Sequence, residues 1–183
     1  MNILDGKLVS EKIVEKTKEE LYNLDRKLGL VVIQVGKDPA SNVYIKQKEK
    51  MASKLDFIEE KNSILNNLNM SEAEKMYELG KYDNIGCNFL HIELEENTTD
   101  NEVIDIIEKL NQDDTVDGIL VQLPIPNHLN KDLIINSIDP NKDVDGLTDI
   151  NIDKLNNDID CLVPCTPLGV IEILKYYNID IYN

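Results

Sequence analysis

Tyr44 and Lys48 are one helical turn apart in the sequence, and both have side chains that can take part in chemistry. With Met51 and Leu55 they follow the i, i+4, i+7, i+11 spacing of one helical stripe, which predicts that Lys48 shares a face with apolar groups. Burial favours the neutral form of a lysine, which can act as a general base or move a proton. Two alternatives stay open: Lys48 reaches water from the edge of the stripe, and Tyr44 is a core aromatic.

Three further polar residues lie where a ligand could reach them. Gln122 precedes Pro124 at the carboxyl end of a predicted central strand, the edge at which parallel sheets bind ligands. Its amide can both donate and accept hydrogen bonds, although a polar residue at a strand end is also common. Asp143 and Asp145 precede Gly146 in a polar loop, where aspartates often form turns. One aspartate could be structural while the other faces a ligand.

The cysteines do not indicate a metal site. Cys87, Cys161 and Cys165 are odd in number, form no Cys-x-x-Cys pair and lack zinc-site spacing. We therefore expect reduced, structural thiols in a reducing compartment, and no metal. The Tyr-x-x-x-Lys spacing also occurs in short-chain dehydrogenases, but no glycine-rich turn for a nucleotide precedes Tyr44, and that interpretation is rejected.

The composition limits the partners of the chain. Nineteen basic and 35 acidic residues give a net charge of -16, which disfavours nucleic acid and anionic membrane surfaces. No apolar run approaches the roughly 20 residues of a membrane span, and the opening residues do not resemble a secretion signal. We expect a single domain in the cytoplasm.

The elements that must position these side chains alternate between helix and strand. Apolar residues three and four apart from Val9 to Leu28 predict a helix that ends at Gly29. Strands are predicted at residues 30–35, 88–94 and 117–123. Further helices are predicted at about 40–55, with Asp38 or Ser41 as cap, and at 71–79, and after the caps Thr99 and Asn130; a last helix has Thr166 as its cap and Pro167 in first position. This alternation predicts an α/β fold with three α-β-α layers and a mostly parallel sheet.

Four segments together resemble the bifunctional methylenetetrahydrofolate dehydrogenase/methenyltetrahydrofolate cyclohydrolase family. They are residues 35–48 (VGKDPASNVYIKQK), 118–126 (GILVQLPIP), 139–146 (DPNKDVDG) and 164–169 (PCTPLG). The resemblance covers nearly the whole chain and identifies residues 1–183 as the folate-binding catalytic domain of that family. The Asn-, Glu- and Lys-rich stretch at about 58–84 has no counterpart and is interpreted as an insertion.

The resemblance implies a folate site and two reactions. Tyr44, Lys48, Gln122 and Asp145 would line the site, with Tyr44, Lys48 and Gln122 in catalytic roles; the neighbours of Gln122, Val121 and Leu123, would also contact substrate. The family oxidises 5,10-methylenetetrahydrofolate with NADP and hydrolyses the methenyl product to 10-formyltetrahydrofolate. We therefore expect tetrahydrofolate as substrate and, for the full-length enzyme, a homodimer.

The resemblance also implies a second, nucleotide-binding Rossmann domain after the last helix. No glycine-rich dinucleotide motif occurs in this chain, so we expect that the chain alone does not bind NADP. Two other interpretations remain open, a non-catalytic folate-binding or scaffold domain and another two-domain dehydrogenase of similar architecture. The Val-Gln-Leu-Pro and Asp-Val-Asp-Gly segments favour folate over the latter.

Overall fold

A computed structural model of the protein describes residues 3–24 and 26–180. None of the helices in these two ranges is both long and apolar enough to cross a membrane. The elements follow one another in this order: α1 Gly6–Leu21, β1 Leu28–Val35, α2 Pro39–Lys54, α3 Ile58–Leu65, α4 Glu72–Gly80, β2 Cys87–Leu94, α5 Asp100–Asn111, β3 Gly118–Val121, α6 Lys131–Ile135, α7 Asp149–Asn156 and α8 Cys165–Tyr176.

The three strands form a parallel sheet in the order β2-β1-β3. Each residue of β1 pairs with β2, and residues 30–33 also pair with β3. The predicted parallel α/β class is therefore confirmed. The prediction that the strand before Gln122 is central is wrong, because β1 takes that place and β3 is bordered on its other side, among the described residues, by a single bridge between Ile119 and Asp143.

Helices cover both faces of the sheet, which confirms the three-layer architecture. Successive side chains of a strand point to opposite faces, so β1 and β3 each contribute to two apolar clusters. On one face Val32 and Leu120 pack with Ile45 of α2. The other face holds the main core, in which α5 and α6 pack on the sheet; its best-buried members are Ile33, Val103, Ile107, Ile119 and Ile134.

The first helix is shorter than predicted. It ends at Leu21, with Tyr22 as its C-cap, and the prediction that it continues to Gly29 is wrong. Leu28 and Gly29 instead belong to β1, where they pair with β2. Gly29 is required there by a close approach, because an added Cβ would lie 2.0 Å from the carbonyl oxygen of Thr115.

The other caps show what the sequence pattern predicts well and what it does not. Ser71 and Thr99 each form the predicted capping box, and Asn130 accepts from the backbone of Leu133 at the start of α6. The prediction that Thr166 caps the last helix is wrong, because α8 begins at Cys165, two residues earlier than predicted, with Pro164 as N-cap and without a side-chain cap. Helices α3 and α7 were not predicted.

The stretch at 58–84 forms the helices α3 and α4. It is joined to the end of α1 by an aromatic cluster of Tyr22, Phe57 and Tyr82. Phe57 and Ile85, at its two ends, pack against Leu21 of α1 in a small core of their own. Lys18 of α1 donates to Glu60 of α3 at 2.8 Å and lies over the ring of Phe57. This stretch therefore packs on the α1 side of the molecule through contacts separate from the two sheet clusters.

The close packing at Gly29 gives a test of the fold. We expect Gly29→Ala to lower the free energy of unfolding by about 1–3 kcal/mol, because main-chain atoms must move to admit the methyl group. Urea denaturation measures the change. Gly80→Ala is the control, since nothing lies within 4 Å of an added Cβ there and the helix should be unchanged or slightly stabilised. Equal midpoints for the two variants would contradict the assigned register of β1.

Candidate functional site

A hydrogen bond joins α2 to the end of β3. Lys48 Nζ donates to Gln122 Oε1 at 2.7 Å. The other end of the same amide donates to the carbonyl oxygen of Leu123 at 2.8 Å, and the Gln122 backbone N–H donates to Ile33 at 2.8 Å. Gln122 is therefore fixed in position and orientation, with its oxygen towards the lysine.

Strand alternation explains why Gln122 points towards α2. Leu120, two residues earlier, faces the cluster beneath α2, and Gln122 has the same parity. Val121 has the opposite parity and packs into the main core, so its side chain is buried away from Lys48. Leu123 follows Gln122 and is partly buried.

Helix α2 positions Lys48 through its own buried face. Its N-terminus is fixed by Asp38, which accepts from the backbone N–H of Ser41 at 2.7 Å, as predicted for one of the two candidate caps. Ser41, Ile45 and Ala52 are the buried residues of this helix, and Lys48 lies between the last two on the same stripe.

The prediction that Tyr44 lies on the inward stripe of α2 is therefore wrong, because the buried position is that of the next residue, Ile45. Tyr44 is 59% exposed, so it is not a core aromatic. Lys48 does share a face with buried residues, but these are Ile45 and Ala52, because the helix turns its small and branched side chains towards the sheet. Tyr44 lies one turn before Lys48, at the flank of that face.

The two loop aspartates have different surroundings. Asp143 is 1% exposed, and its Oδ2 accepts from the Thr148 backbone at 2.8 Å and from Asn151 Nδ2 at 3.0 Å. Asp145 is half-buried and lies near Lys48. The possibility left open by the sequence, one structural aspartate and one facing the site, therefore matches the geometry.

Asp145 lies in a mixed electrostatic environment. Burial raises the pKa of its carboxyl group, the Lys48 ammonium lowers that pKa, and the Asp143 charge raises it further. A carboxylate held in this way near a cation keeps unsatisfied acceptor capacity that a ligand with N–H donors can use.

Cys165 is a fourth member of this group that the sequence analysis missed. Its thiol donates to the carbonyl oxygen of Val144 at 3.1 Å and lies within hydrogen-bonding reach of Asp145. Burial, and then the charge of Asp145, raises the pKa of the thiol, while Lys48 lowers it. Its position in the PCTPLG segment was the available signal. We call Lys48, Gln122, Asp145 and Cys165 the Lys48 site.

The Lys48 site is open rather than enclosed. Cys165 and the neighbouring Tyr44 are both exposed to solvent. An open groove of about 640 Å³ lies elsewhere, between α1, α2 and the start of α3, and includes none of the four residues. Within the described ranges, no group of three or more His, Cys, Asp or Glu side chains could hold a metal ion. A ligand at the Lys48 site would thus be bound at a surface of this domain.

Comparisons with known proteins agree on one family. The model of the tetrahydrofolate dehydrogenase/cyclohydrolase catalytic domain matches residues 4–84 and 72–145. The bifunctional protein FolD of Agathobacter rectalis is 39% identical over 184 residues, which cover 98% of this chain and 55% of that protein. FolD of Campylobacter jejuni strain RM1221 is 42% identical over 185 residues, covering 99% and 55%.

Solved structures show the same likeness. The crystal structure of the bifunctional FolD enzyme from Campylobacter jejuni has a TM-score of 0.79 at 40% identity, over 98% of this chain and 55% of that one. The Trypanosoma brucei enzyme, described as complexed with NADP cofactor and inhibitor, has a TM-score of 0.77 at 26% identity, over 98% and 53%. The chain spans about half the length of the curated relatives that it matches.

The charges around Cys165 predict how its reactivity responds to its neighbours. Asp145→Asn removes a negative charge that raises the thiol pKa, so alkylation by iodoacetamide at neutral pH should become about twofold faster or more. Lys48→Met removes a charge that lowers this pKa and should slow the reaction. Mass spectrometry of the peptide that contains Cys165 separates it from the other two cysteines. The same direction of change in both variants would contradict the assigned geometry.

Proposed function

The chain belongs to the tetrahydrofolate dehydrogenase/cyclohydrolase family, and we propose that its Lys48 site binds a reduced folate and takes part in converting its one-carbon unit. The whole enzyme would oxidise 5,10-methylenetetrahydrofolate to the 5,10-methenyl form and hydrolyse this to 10-formyltetrahydrofolate. The observation that carries the proposal is the hydrogen bond between Lys48 and Gln122 beside the carboxylate of Asp145. These three groups come from separate segments of the chain.

Asp145 would recognise the pterin. The amino-pyrimidinone edge of a pterin presents N–H donors side by side, and an ionised carboxylate can accept two hydrogen bonds from it. Lys48 supports the ionised form, since its charge lowers the pKa of Asp145 against the effect of burial. Tyr44, exposed on the flank of α2, offers a flat face to the aminobenzoyl ring.

Lys48 would move protons during hydrolysis. Water that attacks the methenyl carbon loses a proton, and the nitrogen released when the carbon–nitrogen bond opens gains one, so an amine that alternates between its charged and uncharged forms can carry the proton from one to the other. Gln122 accepts one N–H of Lys48 and so directs the rest of the amine towards the substrate. Lys48, held by Gln122, would also position the one-carbon unit of the folate for hydride loss. Val121 contributes through the backbone, as its side chain lies in the core.

The oxidative step needs a nucleotide that the residues of this chain do not fit. NADP is the cofactor that we propose for the whole enzyme, and NADP is named in the description of the Trypanosoma brucei structure. None of the eight glycines of this sequence is arranged as Gly-x-Gly-x-x-Gly. This chain would therefore contribute the folate side of the reaction, with a homodimeric, cytoplasmic whole enzyme as part of the same proposal.

We further propose that residues 1–183 form one folate-binding domain in which the stretch at about 58–84 is an insertion. Two observations support this. The match to the family model is not continuous but is divided into two pieces, residues 4–84 and 72–145, with the division inside this stretch, and α3 and α4 pack through a small cluster of their own around Phe57. Neither helix contributes a residue to the Lys48 site.

Lys48→Met is the direct test of the proton-transfer role. We expect hydrolysis of methenyltetrahydrofolate without nucleotide, followed by its absorbance, to fall by about 10²-fold or more, since general acid–base groups contribute that much. Folate should still bind, because Asp145 and Tyr44 are intact. Lys46→Met, at an exposed position of α2, is the matched control and should leave the rate unchanged. Undiminished hydrolysis by the Lys48 variant would reject the role.

Asp145→Ala tests the pterin contact separately. The loss of hydrogen bonds to a charged acceptor should raise the folate dissociation constant by about tenfold or more. Equilibrium titration of intrinsic tyrosine fluorescence measures it. Asp105→Ala, at an exposed position of α5, controls for loss of one negative charge. A dissociation constant equal to that of the unmodified chain would remove Asp145 from the site.

A further inference from the structure

Lys142 is a partly buried cation outside the Lys48 site that makes an unusual set of contacts. Its Nζ donates to the main-chain carbonyl oxygens of Leu110, Asn111 and Asp113, at 3.1, 2.8 and 2.8 Å. These oxygens belong to the last two residues of α5 and to Asp113 just beyond it, at the end where the helix dipole is negative. An ammonium has three N–H donors, and here each has an acceptor.

The same end of α5 holds the polar loop at a second point. Asn111 Nδ2 donates to the carbonyl oxygen of Ser137 at 2.8 Å, and Asn111 Oδ1 accepts from the backbone N–H of Asp139 at 2.9 Å. The side chain of Lys142, in the loop, thus bonds to the backbone at the end of α5, and the side chain of Asn111, in α5, bonds to the backbone at the start of the loop. Five hydrogen bonds fix the two segments against each other.

The backbone of Lys142 is tied to the sheet as well. Its carbonyl oxygen accepts from the N–H of Ile119 in β3 at 2.7 Å, and Asp143 forms a parallel bridge to the same residue. Val144 then packs against Gly118, where an added Cβ would lie 2.5 Å from Val144 Cγ1. The backbone of residues 142–144 is therefore held against β3, and it leads directly to Asp145.

The loop is closed on the far side of Asp145. The N–H of Gly146 donates to the carbonyl oxygen of Asp143 at 3.0 Å, and Gly146 has a φ of 65°, a conformation that favours glycine. Asp145 thus lies within a tight turn whose N-terminal side depends on Lys142. A shift of the chain at Lys142 would therefore be passed to the carboxylate of Asp145, three residues further on.

We propose that Lys142 is a positioning residue, which sets the place of the Asp145 carboxylate by binding the C-terminal end of α5. This inference rests on the proposed function, in which Asp145 binds the pterin. Lys142 itself does not touch substrate. A compact ammonium suits three converging carbonyl oxygens, whereas the planar fork of arginine does not match them.

A double-mutant cycle tests the inference. Lys142→Met, Asp145→Asn and the double variant are titrated with 5-formyltetrahydrofolate, a stable reduced folate. We expect Lys142→Met to weaken binding about tenfold in the unmodified chain and less than about twofold in the Asp145→Asn background, since residues that act through one another are not additive. Lys131→Met, which removes an exposed lysine paired with its neighbour Asp132, is the matched control and should leave binding unchanged.

A second readout does not depend on folate. If Lys142→Met displaces Asp145, the thiol of Cys165 loses the neighbouring charge, and its alkylation at neutral pH should accelerate towards the rate of Asp145→Asn. Circular dichroism checks that each variant is folded. If Lys142→Met does not fold, Lys142→Gln takes its place, since it keeps two donors for the three carbonyls and should give a smaller effect in the same direction.

The outcomes separate this inference from the proposed function. Absence of folate binding by the unmodified chain refutes the proposed function, while the alkylation rate still decides whether Lys142 places Asp145. An alkylation rate unchanged by Lys142→Met overturns the inference. Equal losses of folate affinity in both backgrounds also overturn it, because they would show a general loss of stability rather than an effect through Asp145.

Discussion

The structure depends on a cation held at the carboxyl end of a parallel sheet. Lys48 donates to one neutral amide, Gln122, and faces one carboxylate, Asp145, whose pKa is raised by burial. Lys48 and Asp145 are both partly buried, and partners of this kind offset the cost of removing a charged group from water. The helix α2, the end of β3 and the loop with Asp145 must therefore come together for Lys48 to have both of these partners.

Each of these segments is placed by a different physical rule. Helix packing turns the stripe that includes Ile45 and Lys48 towards the sheet, and strand alternation turns Gln122 towards the same space. The loop with Asp143 and Asp145 has no repeating structure, so hydrogen bonds determine its position instead. Asp143 is buried and accepts from Thr148 and Asn151 through Oδ2, whereas the second aspartate of the loop, Asp145, faces the site. Asp143 and Asp145 therefore have different roles because they have different hydrogen-bond partners.

Local sequence signals predicted much of this arrangement. The positions of the three strands and the capping boxes at Ser71 and Thr99 depend on near neighbours in the sequence, and the structure agrees with these predictions for that reason. The errors concern contacts that no local pattern contains. Gly29 resembles a helix end but belongs to a strand pressed against Thr115, and the apolar spacing on α2 did not reveal which of two adjacent stripes meets the sheet.

The site shows the same limit. Residue types identified Lys48, Gln122 and Asp145 as candidates, but the chemistry of Cys165 arises from a neighbour twenty residues away in the chain.

A crystal structure of the chain with bound 5-formyltetrahydrofolate tests the central claim most directly. We expect the amino-pyrimidinone edge to lie against the carboxylate of Asp145, with the one-carbon group beside Lys48 Nζ. A folate bound elsewhere, or oriented with its pterin away from Asp145, would contradict the account.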